Sequence, residues 1–74
     1  MTVQDILKRT NDRVLVMDEA NTFKIIAKVQ DDETKIVVGY ERDAVMNMIV
    51  KGIQSSGSSL MLTVNSMEGE GYDG

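Results

Sequence analysis

The sequence predicts an α+β fold, a two-layer sandwich in which two helices cover one face of an antiparallel sheet of three or four strands. Two observations lead to this prediction: apolar residues recur at helical spacing in segments 3–9 and 42–54, and they alternate as in strands elsewhere. The chain has 74 residues, of which 42% are apolar, which is enough for one small core. Strands with one apolar and one polar face need cover on the apolar face only, so both helices are expected on that face. The predicted order of the elements is α-β-β-β-α-β.

The first helix is predicted over residues 3–9. Thr2 and Asp5 have the spacing of a capping box, and the apolar residues that follow fall on one helical face. Segment 13–17 is rich in β-branched and apolar residues on both faces, so it predicts a well-covered strand. Residues 18–21, Asp-Glu-Ala-Asn, then predict a turn.

Two further strands are predicted on either side of an acidic turn. Segment 22–30 alternates, and the residues expected to face the core are Phe23, Ile25, Ala27 and Val29. Segment 35–40 alternates again after the turn and predicts the third strand of a meander.

From Glu41 the apolar period changes to that of a helix. The stripe consists of Val45, Met46, Ile49, Val50 and Ile53. It predicts a second helix over about 42–54, ended by the Ser-Gly-Ser run that follows. Segment 59–64 predicts a last strand. Residues 1–64 should therefore form one domain, and residues 65–74, acidic and rich in glycine, should form a flexible tail.

The composition excludes several kinds of function. The chain has no Cys and no His, so it lacks thiol nucleophiles, the usual imidazole base and Cys/His metal ligands. We therefore expect neither an enzyme nor a bound cofactor or metal. The absence of Cys suits a reducing cytoplasm, and no apolar run is long enough to span a membrane.

The net charge points to a basic protein as partner. Twelve acidic residues outnumber eight basic ones, which gives a formal charge of −4. This sign disfavours direct binding to nucleic acid or to anionic membranes. Complementary fields would instead speed encounters with a basic protein surface.

The stretch QDDETK, residues 30–35, places Asp31, Asp32 and Glu33 together on a hairpin tip. A tight hairpin normally carries Asn-Gly or Asp-Gly at this place. Two interpretations remain: a solvated loop that keeps the protein soluble, or a working surface made of carboxylates.

Two stretches resemble a known family. MTVQDILKR and FKIIAKVQDDETKIVVGYERDAVMNMIVKGI are similar to the small acidic phage proteins that inhibit Cas9, the type II-A anti-CRISPRs of α-β-β-β-α build. The likeness covers residues 1–54 and consists of I-I-x-K-V, an Asp-rich hairpin tip and acids before an amphipathic helix. This chain departs from the family in its strand after the second helix and in lacking an acidic helical C-terminus.

The resemblance implies a DNA mimic that occupies the basic cleft of a Cas9-like host nuclease. Its carboxylates would stand in for phosphates, and Tyr40 would be an aromatic anchor beside them. The residues that the resemblance assigns to partner binding are Asp31, Asp32, Glu33, Tyr40, Glu41 and Asp43.

Two alternatives belong to other functional classes. A chain this small often gains stability by oligomerising, so it could be an assembly protein that pairs through sheet edges. It could also be an oligomer that sequesters a signalling nucleotide, for which the phosphate-binding residues would be Lys24, Lys28 and Arg13.

Overall fold

The structure, a computed structural model, describes residues 1–67. Most of the predicted tail, 65–74, therefore lies outside the described residues. The elements in chain order are α1 (Val3–Leu7), β1 (Arg13–Asp18), a 3₁₀ turn (Glu19–Asn21), β2 (Lys24–Gln30), β3 (Glu33–Ile36), α2 (Arg42–Met46), β4 (Gly52–Ser56) and β5 (Ser59–Val64). None of the helices within residues 1–67 is long and apolar enough to span a bilayer.

The strands form one mixed sheet of five, in the order β3-β2-β1-β5-β4. β1 and β5 are parallel, and the other neighbouring pairs are antiparallel. The chain combines helices and strands, but the prediction of a two-layer sandwich with an antiparallel sheet of three or four strands is wrong. Alternation along a strand predicts which face is buried, but it does not predict the direction of the neighbouring strand, so the parallel pair was missed.

The predicted second helix is the largest error. α2 ends at Met46, residues 47–51 are neither helix nor strand, and the last residues of the expected helix belong to the edge strand β4. Ile49 is 60% exposed, and Ile53 pairs with Leu62 of β5. The backbone bond from Lys51 N–H to Thr63 C=O, 2.8 Å, begins this pairing. β-Branched residues favour a strand here, and the periodicity of so short an apolar run does not discriminate between the two structures.

The second and third strands also depart from simple alternation. The register of β1 and β2 shifts between Val16 and Met17, which is a β-bulge. Ile26 and Ala27 are consequently both buried, and the prediction that Phe23 and Ile25 face the core is wrong. β3 ends at Ile36 instead of continuing to residue 40, and Val38, expected in the strand, is 96% exposed.

The two short helices contribute buried apolar residues to the one core cluster, which otherwise consists of strand residues. α1 contributes Val3 and Ile6, and its predicted capping box is confirmed by bonds in both directions between Thr2 and Asp5. α2 contributes Val45 and Met46. Each helix has five residues, too few to be stable alone, so packing on the sheet holds it in place. We call the face of the sheet that carries the buried residues Val14, Val16, Leu62 and Val64 the inner face, and the opposite one the outer face.

A buried carboxylate joins four segments at one end of the sheet. Asp18, the last residue of β1, is 0% exposed. Its Oδ1 accepts from the backbone N–H groups of Ala20 and Ser66, each at 3.0 Å. Its Oδ2 accepts from the Ser66 hydroxyl at 2.6 Å and from the Tyr40 hydroxyl at 2.7 Å. We call this group the Asp18 cluster. It ties β1 to the 3₁₀ turn, to the segment before α2 and to the chain just after β5.

The hydrogen bonds decide the ionisation of Asp18. Burial is the largest single influence and disfavours the charged form, but the bonds from Ser66, Tyr40 and Ala20 together outweigh it, so the pKa of Asp18 lies below its ordinary value. The carboxylate is therefore charged at neutral pH, and each of its four bonds is charge-assisted.

Asp18→Asn should lower the free energy of unfolding at pH 7 by about 2–3 kcal/mol, because the neutral amide loses the charge-assisted bonds and its NH2 group cannot accept from the two hydroxyl groups that now share Oδ2. A lowered pKa in the folded chain stabilises it above the pKa of the unfolded chain, and this stabilisation is lost as pH falls through the folded-state pKa. The wild-type protein should therefore lose stability on acidification, and the variant should lose less. Urea unfolding at several pH values measures both. An equal pH dependence in both proteins would contradict the role of Asp18, and Asp12→Asn, at an exposed residue, is the control.

Candidate functional site

The acidic hairpin tip is a turn of only two residues. Gln30 pairs with Glu33, so Asp31 and Asp32 alone connect β2 to β3. Their φ angles are +50° and +68°, the positive values of a type I′ turn. Asn-Gly would adopt this backbone more readily, because a β-carbon at positive φ is strained. The two carboxylates are thus present where a more stable pair is available, although aspartate tolerates this backbone. Positive φ also occurs at Thr22 and Phe23 after the 3₁₀ turn, so the angle alone does not mark a functional site.

A cleft of about 460 Å³ lies beside this turn. Asp31 and Asp32 line it together with Asp12, and the one basic residue in its wall is Arg42, at the start of α2. Three carboxylates against one guanidinium give the cleft a negative charge. The adjoining cleft shares Arg42 and contains Asp43. The structure therefore brings Asp31, Asp32 and Asp43, three of the predicted residues, to one region of the surface.

Sequence analysis missed Asp12 in this region. The antiparallel register pairs Val14 of β1 with Val29 of β2, so the residue just before β1 lies beside the turn that follows β2. The pairing of two adjacent predicted strands would have been enough to place Asp12 there. We call Asp12, Asp31 and Asp32 the acidic rim.

The remaining predicted residues are placed elsewhere. Glu33 lines a different cleft, on the outer face of the sheet. Glu41 is the exposed N-cap residue of α2, and its side chain makes no capping bond. The hydroxyl of Tyr40 donates to Asp18 and accepts from Asn21 at 3.3 Å, at the opposite end of β2 from the acidic turn. The Asp18 carboxylate raises the pKa of Tyr40. Tyr40 is thus not beside Asp31 and Asp32.

The end of the sheet that contains the Asp18 cluster carries further polar contacts. Glu19 accepts from Asn65 at 2.8 Å and forms an ion pair with Lys51 at 3.1 Å. These two bonds, that of Asn65 first, lower the pKa of Glu19. Within residues 1–67 no buried side-chain polar atom is left without a partner. A carboxylate with a lowered pKa and a full set of donors is a poor general base, so we interpret this end as a structural link.

The basic residues proposed for a nucleotide separate into two groups. Arg13 and Lys28 line one cleft on the outer face. Lys24 pairs with Asp18 at the other end of β2 and is not part of that cleft. Lys35 was not predicted, and it takes the place expected for Lys24.

The described chain shows no arrangement typical of a metal site. Within residues 1–67 no three acidic side chains come together in a way that could hold a metal ion. The acids of the tail, Glu68, Glu70 and Asp73, lie outside the described residues. Comparison of the chain with protein-family models, with curated proteins and with solved structures found no match.

Replacing the turn residues by Asp31→Asn and Asp32→Gly together should raise the free energy of unfolding by about 1 kcal/mol, because Asn-Gly suits a type I′ turn. Urea unfolding at neutral pH measures the change. Asp12→Asn removes a charge from the same rim without altering the turn. Any gain in stability that it shows measures the relief of charge repulsion alone, and the additional gain of the double variant measures the effect of the turn backbone. A loss of stability in the double variant would show that the turn is not strained.

Proposed function

We propose that the protein is a non-enzymatic inhibitor that uses its acidic rim to bind the basic cleft of a nucleic-acid-handling host protein. The observation that carries this proposal is the gathering of three carboxylates, Asp12, Asp31 and Asp32, around one cleft whose wall contains a single basic residue.

Binding would follow from ordinary electrostatics. Asp31 and Asp32 are exposed, and Asp12 widens the anionic surface on one side. Carboxylates against Lys or Arg make charge-assisted hydrogen bonds, and an anionic rim steers a basic partner during encounter. On a protein that normally holds nucleic acid, these carboxylates would take the place of phosphates.

A Cas9-like nuclease of the host cytoplasm is the first partner to test. The resemblance to type II-A anti-CRISPRs covered an amphipathic helix over residues 42–54, and this segment contains the five-residue α2 and most of β4. The choice of partner therefore rests on the acidic turn and on the net charge, and not on a shared architecture. A restriction enzyme, polymerase or glycosylase would present the same kind of basic cleft.

Excess protein should block DNA cleavage by a Cas9-like nuclease, and Asp31→Asn with Asp32→Asn should slow association on the order of tenfold. Asn keeps the positive-φ backbone, so the variant changes charge and not the turn. Surface-bound nuclease at two salt concentrations gives the rates, and higher salt should weaken wild-type binding.

The matched control is Glu68→Gln with Glu70→Gln, which removes the same charge far along the chain from the turn. Undiminished cleavage at a large molar excess would exclude the Cas9-like partner. Equal association rates for the turn variant and the control, measured on any basic partner that the protein binds, would contradict the role of the acidic rim.

Self-association along β4 is a second candidate function, favoured by the character of that edge. β4 is an outer strand of the sheet, and Gly52–Ser56 contains neither a charge nor a proline, the usual protections against edge pairing. Ile53 is 54% exposed, and Ile49 precedes the strand at 60% exposure. Val50 N–H bonds to Met1 C=O at 2.9 Å, which brings the exposed Met1 to the same region.

Two copies could extend the sheet by antiparallel pairing of β4 with β4, and Ile53 would then be covered. Light scattering at tens of micromolar should show a dimer, and Ile53→Lys should shift it to monomer because a charge opposes edge pairing. Gln4→Lys, on the exposed surface of α1, should leave the dimer intact. A monomeric wild-type protein at that concentration would rule out this candidate.

A further inference from the structure

The outer face of the sheet carries a second cleft of opposite charge. This cleft, of about 330 Å³, is shaped by β1, β2 and β3. Its cationic residues are Arg13, Lys28 and Lys35, and its one acid is Glu33. Leu15 and Ile25 supply apolar surface between them. A chain whose net charge is −4 thus gathers three of its eight basic residues in one concave site. We call it the basic cleft.

The two lysines of the basic cleft oppose each other directly. Lys28 of β2 pairs in register with Lys35 of β3, so their side chains leave the same face of the sheet side by side. Like charges in this relation destabilise a sheet. Within residues 1–67 neither lysine forms an ion pair. No ion pair within the described residues explains why the two lysines lie side by side. An anion bound between the two ammonium groups would remove their repulsion.

Arg13 is held in position on the third side of the cleft. Its Nε donates to the hydroxyl of Ser59 at 3.0 Å, and Ser59 is buried beside it in the parallel register of β1 and β5. This bond fixes the plane of the guanidinium and leaves its other N–H groups as donors. A planar fork of this kind suits phosphate oxygens.

The apolar and polar walls indicate what the anion is attached to. Leu15 lies opposite Lys28 in register, so an apolar surface adjoins the cationic group. Gln30 and Glu33 pair at the end of the cleft nearest the acidic turn and offer an amide and a carboxylate to hydroxyl or amino groups. The size of the cleft lies within the range of small-molecule sites.

We propose that the basic cleft binds a nucleoside polyphosphate. Its phosphates would lie between Arg13, Lys28 and Lys35, and its base would cover Leu15 and Ile25, toward the end of the cleft away from Glu33. The site is separate from the acidic rim and does not depend on the inhibitor function proposed above.

Calorimetric titration of the full chain with ATP, pyrophosphate and adenosine tests the proposal. ATP should bind, pyrophosphate should bind more weakly, and adenosine alone should not bind measurably. Lys28→Gln and Lys35→Gln should each weaken ATP binding about tenfold, since each removes a charge-assisted contact. Lys8→Gln, an exposed charge on the helical side, should leave the affinity unchanged.

The melting temperature of the free protein distinguishes a ligand site from a group of cations that stabilises the fold. Because Lys28 repels Lys35 in the free protein, Lys28→Gln should raise the melting temperature of the free protein by about 2 °C while it lowers the affinity for ATP. A fall in melting temperature would mean that the lysines stabilise the sheet, and the proposal would fail.

Three other results would overturn the assignment. ATP binding that Lys8→Gln weakens as much as Lys28→Gln would be nonspecific attraction of charge. No binding of ATP at millimolar concentration would exclude the ligand. Tighter binding of single-stranded oligonucleotide than of ATP would assign the cleft to a nucleic-acid strand. The variants Asp31→Asn and Asp32→Asn should not weaken ATP binding, since they remove negative charges beside the cleft, and this keeps the test separate from that of the acidic rim.

Discussion

The buried carboxylate of Asp18 is the interaction on which the rest of the structure depends. Its four hydrogen bonds come from residues 2, 22 and 48 positions away along the chain, so it connects the start, the middle and the end of the described protein. The bonds to Ser66 fix the chain just after β5 against the end of β1, where these two strands run parallel. Since both helices are only five residues long, the fold relies on this sheet and its closure. A small core contributes only a modest free energy of unfolding, and the fully hydrogen-bonded carboxylate of Asp18 adds to that free energy.

Local features of the fold were accessible from the sequence, and long-range ones were not. The capping box of α1 and the alternation of β5 are signals within a few residues, and both were predicted. The parallel pairing of β1 and β5 joins segments more than 40 residues apart, and no local pattern encodes its direction. The stripe through Ile49 and Ile53 fits a helix and a strand equally well at that length. Asp18 resembles an ordinary turn residue in the sequence, because the donors that bury it are distant.

For the candidate sites too, local features were predicted from the sequence and long-range ones were not. The acidic turn was predicted as a hairpin tip, and the structure adds that both aspartates have positive φ. Asp12 and Lys35 enter their sites through strand register, which sequence analysis did not use. Tyr40 was assigned to the acidic surface by resemblance, but its hydroxyl belongs to the Asp18 cluster. Like-charge repulsion thus occurs toward the turn between β2 and β3, away from the well-bonded end of the sheet. Positive φ angles occur at both ends, at Asp31 and Asp32 and at Thr22 and Phe23. This contrast in charge pairing is what separates the surfaces proposed to bind partners from those that maintain the fold.

The most direct test of the structural role of Asp18 is an NMR titration of its side-chain carboxyl carbon in the folded protein. Because the donors of Ser66, Tyr40 and Ala20 favour the charged form, this carbon should begin to titrate only below the ordinary range of aspartate, and the amide signal of Ser66 should shift with it. Titration within or above the ordinary range, with no accompanying change at Ser66, would show that the carboxylate does not hold these segments together.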